Sequence, residues 1–279
     1  MKLITIMILF TFVNSFSQTF LFENEIGRFT SASSFSINSA GFIYVTDISK
    51  NEVLKLDRKG KVLKSVGGFG WGNESFDNPI DVNANMLNVY VTDHNNNRIQ
   101  FFDKDLNFLF EFNSKNIENN RYAFAYPKSC VVSNQGDMFV LDGDNQRILK
   151  FNTKGNFVSE IGNTDSGEYA LDNPKKLAIS NDGKLFVSDG QMVKVFDYFG
   201  TGIIKINSEL KNANLNVSGF ILTINDNNKI KLLDLLKGDN KFVEFIPKES
   251  DEDIVSSIAI NNYLYVLTPT CILIYSYKN

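Results

Sequence analysis

Short segments of alternating apolar and polar residues follow one another along most of the chain, and polar turns separate them. The segment 98–103 reads Arg-Ile-Gln-Phe-Phe-Asp, and 147–152 reads Arg-Ile-Leu-Lys-Phe-Asn. A period near two is typical of half-buried β-strands. The turns between segments are rich in Asn, Asp and Gly, as at 181–183, and these residues supply the positive φ that tight hairpins need. No segment after the N-terminus keeps a helical period, so the pattern predicts an all-β protein.

A five-residue pattern that ends in aspartate recurs four times. It occupies Ile43–Asp47, Val89–Asp93, Met138–Asp142 and Leu185–Asp189. Its aspartates lie 46, 49 and 47 residues apart, and each repeat holds four predicted strands. A repeat of this size cannot bury its apolar faces alone and must pack against its neighbours. Four antiparallel strands repeated in this way predict the blades of a β-propeller.

Counting the repeats gives six blades. Four regular blades cover roughly residues 33–206, and a degenerate fifth unit begins at Phe220. The sixth, from Val255 to Tyr277, has only three predicted strands. We expect 19–24 to supply the missing fourth strand, because ring closure protects sheet edges that an open stack would expose. The predicted fold is therefore a six-bladed β-propeller of four-stranded antiparallel blades over residues 18–279, closed by an N-terminal strand.

Two of the repeats resemble an NHL repeat. The segments that carry the resemblance are Val91–Asp103 and Val140–Asn152. Three dipeptides that open blades two to four also match: Asn78-Pro79, Tyr126-Pro127 and Asn173-Pro174. The resemblance implies a six-bladed propeller, in agreement with the count of repeats. It implies no single activity, since such propellers serve as interaction modules and also as hydrolases and lyases.

The repeated charged residues have a structural interpretation. An aspartate at the end of a strand can accept hydrogen bonds from backbone N–H groups of the next turn, and a following arginine can brace that turn or pair with a carboxylate. The candidate turn braces are Asp47, Asp93, Asp142, Asp189, Arg98 and Arg147. After Asp189 the turn is two residues shorter, so that Met192 stands where other blades have Arg or Glu52. A residue that every blade needs is rarely the unique functional site.

The first 17 residues have the features of a signal peptide. Lys2 precedes the apolar run Leu3–Val13, and small residues at Ser15 and Ser17 fit a cleavage after Ser17. The apolar run is shorter than the ~20 residues of a transmembrane helix. We therefore expect a secreted or periplasmic protein with no stable membrane span after cleavage.

The charge of the chain argues against one class of partner, and the positions of its cysteines argue against a disulfide. The net charge is −4 and no basic run occurs, which argues against a nucleic-acid partner. Cys130 and Cys271 fall in blades three and six on opposite sides of the ring. A disulfide needs Cα atoms within about 7 Å, so we expect both to be buried, unpaired residues.

Three long connections between blades are the places where the repeat is interrupted: 67–77, 113–126 and 162–173. Loops on a rigid scaffold often carry binding residues, and exposed Trp, Tyr and Arg are typical of interaction hot spots. The candidate partner-binding residues are Trp71, Arg121, Tyr122 and Tyr169. The alternative is that these aromatic side chains fold back over the blade edges. The first interpretation predicts a non-enzymatic scaffold for a protein, peptide or glycan.

No catalytic residues can be assigned from the sequence. The chain has one histidine, His94, which is too few for a histidine-held zinc site, and no Gly-x-Ser-x-Gly motif that would support a Ser-His-Asp hydrolase. Six-bladed lactonases and esterases hold calcium with carboxylate and amide oxygens at the channel mouth. A calcium-dependent hydrolase is therefore the alternative hypothesis, and calcium is the one cofactor that the sequence leaves open.

Overall fold

The computed structural model describes residues 19–114, 120–239 and 241–278. They form six four-stranded antiparallel sheets, which confirms the predicted six-bladed propeller. The predicted signal peptide, 1–17, lies outside the described residues. No helix within the described ranges is both long and apolar enough to cross a bilayer.

Strands are numbered in chain order. Blades one to three comprise β2 (Ala32–Ile37), β3 (Ile43–Asp47), β4 (Glu52–Leu56) and β5 (Val62–Gly67); β6 (Pro79–Ala84), β7 (Asn88–Asp93), β8 (Arg98–Asp103) and β9 (Phe108–Asn113); β10 (Ser129–Val132), β11 (Met138–Asp142), β12 (Arg147–Phe151) and β13 (Phe157–Ile161). Blades four to six comprise β14 (Pro174–Ile179), β15 (Leu185–Asp189), β16 (Met192–Phe196) and β17 (Gly202–Asn207); β18 (Asn214–Ser218), β19 (Ile221–Asn225), β20 (Ile230–Asp234) and β21 (Phe242–Phe245); β22 (Ser256–Ile260), β23 (Tyr263–Leu267), β24 (Ile272–Lys278) and β1 (Thr19–Ile26). Two short 3₁₀ segments, Asn120–Tyr122 and Thr164–Tyr169, lie in the connections before blades three and four.

The N-terminal strand closes the ring as predicted. β1 pairs antiparallel with β24, from Thr19 opposite Lys278 to Ile26 opposite Ile272. A register shift lies between Phe22 and Asn24, and the strand extends two residues beyond the predicted end at Asn24. Every blade therefore has four strands.

The first strand of blade five is the element that the sequence did not reveal. β18 precedes Phe220, where the pattern placed the start of this unit. Its sequence, Asn-Leu-Asn-Val-Ser, contains two asparagines, which are depleted in strands. Pairing with β19 along the whole strand, from Asn214 to Ser218, stabilises the extended conformation instead.

The apolar core lies between the blades and is divided into six clusters, one for each pair of neighbouring blades. Between blades one and two, for example, Tyr44 and Val53 pack with Val82 and Val91. Cys130 and Cys271 are buried and unpaired, as expected, and burial raises the pKa of the Cys130 thiol. Because the apolar side chains pack between blades, the innermost strands can present polar side chains to the central channel.

The strand directions give the ring two different faces. We call the connection face the one that carries the blade-to-blade connections and the turns from second to third strands. The hairpin face is the opposite one, with the turns from first to second and from third to fourth strands. The three long connections noted in the sequence all lie on the connection face.

A β-bulge near the connection face interrupts the innermost strand in three blades. The pairing shifts by one residue between Ala32 and Ser34 in β2, and β6 and β14 shift in the same way before Asp81 and Lys176. A bulge re-aims side chains, because two residues oppose one on the partner strand. Two successive residues of each bulged strand therefore line the channel.

Candidate functional site: the central channel and the connection face

In blade two, the aspartate that ends the second strand is the centre of a polar clamp. Asp93 is fully buried and accepts hydrogen bonds from the backbone N–H of Asp77 and from Arg98 Nε, each at 2.8 Å. The guanidinium also donates to four oxygen atoms: the carbonyls of Trp71, Gly72 and Ser75 and the carboxylate of Glu111. The clamp therefore joins the second strand to the connection that precedes the blade.

Blade three repeats this arrangement. Arg147 Nε donates to Asp142 at 3.0 Å, and Nη2 donates to the carbonyls of Arg121 at 2.9 Å and Ala123 at 3.1 Å. Asp142 also accepts from the backbone N–H of Ala125 at 3.2 Å. Arg98 and Arg147 thus hold two of the long connections by their backbone carbonyls.

In blade four a lysine takes the position of the arginine. Asp189 accepts from the backbone N–H of Asn173 and from Lys194 Nζ, each at 2.6 Å, and Lys194 also donates to the carbonyl of Ala170. Met192 is the residue that pairs with Asp189 in the sheet. Sequence analysis missed Lys194, although it lies two residues beyond Met192 and therefore on the same face of the strand.

Blade one has the aspartate but no cation in the clamp. Asp47 accepts from the backbone N–H groups of Thr30 at 2.6 Å, Ser31 at 3.2 Å and Ser49 at 3.1 Å. Two of these donors precede the blade, whereas sequence analysis expected them in the following turn. In blades two to four as well, aspartate contacts the preceding connection.

These clamps compensate the burial of the carboxylates. Burial raises the pKa of Asp93, while hydrogen bonds from Asn96, the Asp77 N–H and Arg98 act in the opposite direction. A buried carboxylate is tolerated when it is paired and hydrogen-bonded. The clamp residues are thus engaged within the fold.

Of the three aromatic residues among the candidate partner-binding residues, Trp71 is the most exposed. Its side chain is 73% exposed and contacts Phe69, itself 66% exposed, edge to face at 5.8 Å between ring centroids. Both belong to a glycine-rich connection, 67–77, whose backbone Arg98 holds in place at Trp71, Gly72 and Ser75. The result is a pair of exposed rings on a loop with a fixed backbone.

The other three candidates contact strands of the following blade or one another. Tyr122 stacks on Phe157 with ring centroids 3.6 Å apart, and Arg121 lies over the Tyr122 ring at 5.8 Å. Tyr169 is half-buried against Phe196, 5.8 Å between centroids. No described contact joins Trp71 to these residues, so the contacts of the described residues bring only Arg121 and Tyr122 together.

Four polar side chains meet in the central channel, and sequence analysis did not predict them. We call this group the polar waist. Ser34, Asp81, Ser129 and Lys176 occupy equivalent positions of four innermost strands, 47, 48 and 47 residues apart. Asp81 accepts hydrogen bonds from Ser34 Oγ at 2.7 Å and Ser129 Oγ at 2.6 Å, and it forms a buried ion pair with Lys176. Lys176 Nζ also lies 3.4 Å from Ser34 Oγ. The side chain of Lys176 therefore crosses the channel from blade four to blades one and two.

Cavities open on both sides of this waist. The cavity at the connection face measures about 310 Å³, and the one at the hairpin face measures about 810 Å³. Lys176 lines both. The larger cavity thus lies opposite the face on which the sequence placed the ligand site.

The channel offers a poor set of ligands for calcium. Within the described part of the chain, no group of three or more His, Cys, Asp or Glu is arranged to hold a metal ion. Asp81 is the only carboxylate among the described residues that line either cavity, and both of its oxygens are already engaged. Calcium takes six to eight oxygen ligands, commonly with several carboxylates. These donors do not fit the calcium site of the alternative hypothesis.

Comparison with known proteins supports the repeat and the fold. No family model matches the chain. A 101-residue stretch, 35% of this chain, is 36% identical to the protein brain tumor of Drosophila melanogaster but covers 10% of that protein. Another match, 30% identical over 136 residues, covers 46% of this chain and 39% of a probable peptidyl-alpha-hydroxyglycine alpha-amidating lyase of Caenorhabditis elegans. The chain thus spans less than half the length of each of these relatives.

Solved structures with several functions share the fold. A gluconolactonase from Xanthomonas campestris aligns with a TM-score of 0.65 at 13% identity, covering 91% of this chain and 88% of that chain. A catalytically inactive histidine-to-alanine variant of virginiamycin B lyase from Staphylococcus aureus has a TM-score of 0.62 at 14% identity, covering 93% and 99%. A chain of the nidogen/laminin complex has a TM-score of 0.63 at 15% identity, covering 78% and 81%. At these identities the likeness shows the six-bladed fold alone.

Proposed function

We propose that this chain is an exported NHL-type propeller that acts as a non-enzymatic binding scaffold for a protein, peptide or glycan. The observation that carries the proposal is the exposed Phe69–Trp71 pair on a connection whose backbone is held by Arg98. The connection face is the binding surface, with Trp71 at its centre.

Physical chemistry supports a role for this pair in binding. Aromatic rings provide much of the energy of binding interfaces, because they bury a large apolar area with few rotatable bonds. Association is favoured when the binding loop is already ordered, since less conformational entropy is then lost. Arg98 fixes the carbonyls of Trp71, Gly72 and Ser75, so the backbone of this loop is ordered before a partner arrives.

The structure of the channel favours a scaffold over a hydrolase. Asp81 is engaged by Lys176, Ser34 and Ser129, and calcium would have to displace these contacts. His94 Nδ1 lies 3.0 Å from the carbonyl oxygen of Pro127, with no described contact to a nucleophile. Propellers of this fold include a protein of the nidogen/laminin complex, which gives a precedent for a binding role.

The test of the scaffold compares two exposed aromatic sites on opposite faces. A partner captured by cross-linking from the extracellular fraction is purified, and its affinity is measured for wild type, Trp71→Ala, Phe69→Ala and Phe199→Ala. Phe199 is 80% exposed in the turn between β16 and β17 on the hairpin face, so its substitution is a matched control. We expect Trp71→Ala to weaken binding by tenfold or more, about 1.4 kcal/mol. Equal affinities for Trp71→Ala and Phe199→Ala would remove the case for the connection face.

The two remaining parts of the proposal have separate tests. Calorimetric titration with calcium, together with a panel of lactones and esters, separates the scaffold from the hydrolase: tight stoichiometric calcium with turnover would overturn the scaffold. Mass spectrometry of the exported protein tests the signal peptide, and we expect the mature chain to begin at Gln18.

A further inference from the structure

The cavity at the connection face collects positive charge in a chain that is acidic as a whole. Three lysines line it, Lys128, Lys175 and Lys176, against the single carboxylate of Asp81. The net charge of the whole chain is −4. A local excess of cations of this kind is produced by the fold, since Lys128 belongs to blade three and the other two lysines belong to blade four.

The bulges explain why the lysines meet. In β14 the pairing shifts between Pro174 and Lys176, so that Lys175 is the extra residue and both lysines line the cavity. Lys128 directly precedes β10 and reaches the neighbouring blade, where its Nζ donates to the carbonyl of Pro174 at 2.9 Å. The two lysines of β14 and Lys128 are therefore brought to one mouth of the channel.

Two of these ammonium groups have no acidic partner. Asp81 pairs with Lys176, whereas no described carboxylate lies within ion-pair distance of Lys128 or Lys175. Lys175 Nζ donates to the carbonyl of Asn212 at 2.8 Å. A hydrogen bond to a carbonyl oxygen does not neutralise a full charge, and each ammonium carries three donors. Partial desolvation by the surrounding protein lowers the pKa of Lys175, and no carboxylate opposes this effect.

Other polar groups complete the surface of the cavity. Ser33, Ser34 and Asn214 line it together with His94 from the turn after β7. Asn214 is engaged with the carbonyl of Val255, and Ser33 with the carbonyl of Pro79. The unneutralised donors that face the cavity are thus those of Lys128 and Lys175.

We propose that this cavity is a binding site for a small oxyanion, a carboxylate or a phosphate group, held between Lys128 and Lys175. Its volume of about 310 Å³ accommodates a free small anion or an acidic group at the tip of a larger ligand. Charge-assisted hydrogen bonds from two ammonium groups would hold the oxygens. None of the residues of this site belongs to the Trp71 loop. The test of anion binding can therefore fail or succeed independently of the test of the scaffold.

His94 provides a direct reporter for the test. It is the only histidine of the chain, so its ring proton signals in the NMR spectrum need no assignment among others. Phosphate, succinate and acetate are titrated into the protein at fixed pH and at an ionic strength matched with sodium chloride, and calorimetry measures stoichiometry and affinity. We expect saturable one-to-one binding of phosphate or succinate that shifts the His94 signals. The more tightly bound anion identifies whether phosphate or carboxylate is preferred.

Variants then locate the site. Lys128→Gln and Lys175→Gln should each weaken binding by about tenfold, which corresponds to about 1.4 kcal/mol. Lys175→Arg should retain binding because the charge is kept. Lys154→Gln is the control, since Lys154 is exposed in a turn of the hairpin face and forms no ion pair with a described residue. Circular dichroism checks that each variant is folded.

Two results would overturn the site. One is a His94 signal that responds to phosphate and succinate no more than to chloride. The other is a folded Lys128→Gln, Lys175→Gln double variant that binds the anion as tightly as wild type.

Discussion

In blades two to four the second strand ends in a buried aspartate paired with a cation. In blades five and six the second strand ends one residue earlier, at Asn225 and Leu267. The aspartate position then holds Thr268 in blade six and Asp226 in blade five, where Asp226 accepts hydrogen bonds from backbone N–H groups of its own turn. Asn225 has no charge to pair, and its amide reaches forward to the carbonyls of Ile254 and Val255, both at 3.4 Å. Leu267 packs in the apolar cluster between blades six and one. At this position the architecture therefore uses a paired cation in one region and, among the described residues, none in the other.

Aromatic packing stabilises the end of the ring that lacks the clamps. Phe20 of β1 stacks on Phe245 of β21 with centroids 4.4 Å apart, and Phe245 meets Tyr275 of β24 at 4.8 Å. These contacts join the outer strand of blade five to the closing strand of blade six. The difference shows that the aspartate–cation pair is a means of anchoring the connections, and that the blades form without this pair where apolar packing is available.

The largest effect should come from removing the closing strand. Deletion of Thr19–Ile26 removes the partner of β24 along its length and exposes the edge of that strand. We expect loss of the cooperative thermal transition or association into oligomers, because an unpaired apolar edge strand is prone to aggregate. Circular dichroism and size-exclusion chromatography measure both. The control is Leu21→Ser, at an exposed position of the same strand, which should change the free energy of unfolding by less than about 0.5 kcal/mol. An intact, folded monomer after the deletion would contradict the role of the closing strand and its aromatic contacts.

The next effect tests the clamp of blade two. Arg98→Met leaves Asp93 buried without its cation, and breaking a buried pair in this way costs about 3–5 kcal/mol. Chemical denaturation measures the free energy of unfolding. The matched control is Arg28→Met, which removes an exposed pair with Glu25 and should cost about 0–1 kcal/mol. Similar losses for the two variants would mean that the clamp stabilises the blade no more than a surface ion pair does.

The sequence predicted those features that repeat at neighbouring positions. The alternation and the aspartate period gave six blades, and the three-strand count of the last blade led to the closing strand near Thr19. β18 was missed because its asparagines and serine give weak strand propensity, which pairing with β19 overrides.

The channel waist was harder to predict for a different reason. Asp81 and Lys176 are 95 residues apart, and their contact depends on bulges in two separate blades. Aligning the blades by their aspartates would have singled out one position of the first strand. The residue type there differs from blade to blade, whereas most other strand positions keep the same type. Its residues are Ser34, Asp81, Ser129 and Lys176. Their side-chain directions, however, follow from the register shifts, which the sequence does not show.

A smaller effect should show how the clamp adapts in blade four. Lys194→Met removes the hydrogen bonds of its ammonium to Asp189 and to the carbonyl of Ala170. A hydrogen bond to a charged group contributes about 1.5–3 kcal/mol, so we expect a loss of that order in the free energy of unfolding. Met192→Ala, at the position that aligns with Arg98 and Arg147, is the comparison and should lose less. The opposite order would show that Lys194 does not replace the arginine.

The smallest effect concerns a polar contact between blades one and two and depends on pH. Asp105 accepts hydrogen bonds from Lys104 and from the buried Lys55, and these lower the pKa of Asp105 from 3.8 to about 2. A carboxyl whose pKa is lowered on folding stabilises the protein above its unfolded pKa and loses that contribution as the pH falls through the folded one. Wild type should therefore exceed Asp105→Asn in stability at pH 6, and the gap should close between about pH 4 and pH 2.

The control for this contact is Asp251→Asn, an exposed position in the connection before blade six that forms no ion pair with a described residue. It should show no such pH-dependent gap. Urea denaturation at several pH values measures the gap for both variants. A gap for Asp105→Asn that persists unchanged to pH 2 would show that Lys55 is stabilised by packing on the Phe42 ring, 4.1 Å away, and not by the carboxylate. In that case the contact between blades one and two would resemble the neutral packing of blades five and six, and the contrast between the two regions would be confined to the clamps themselves.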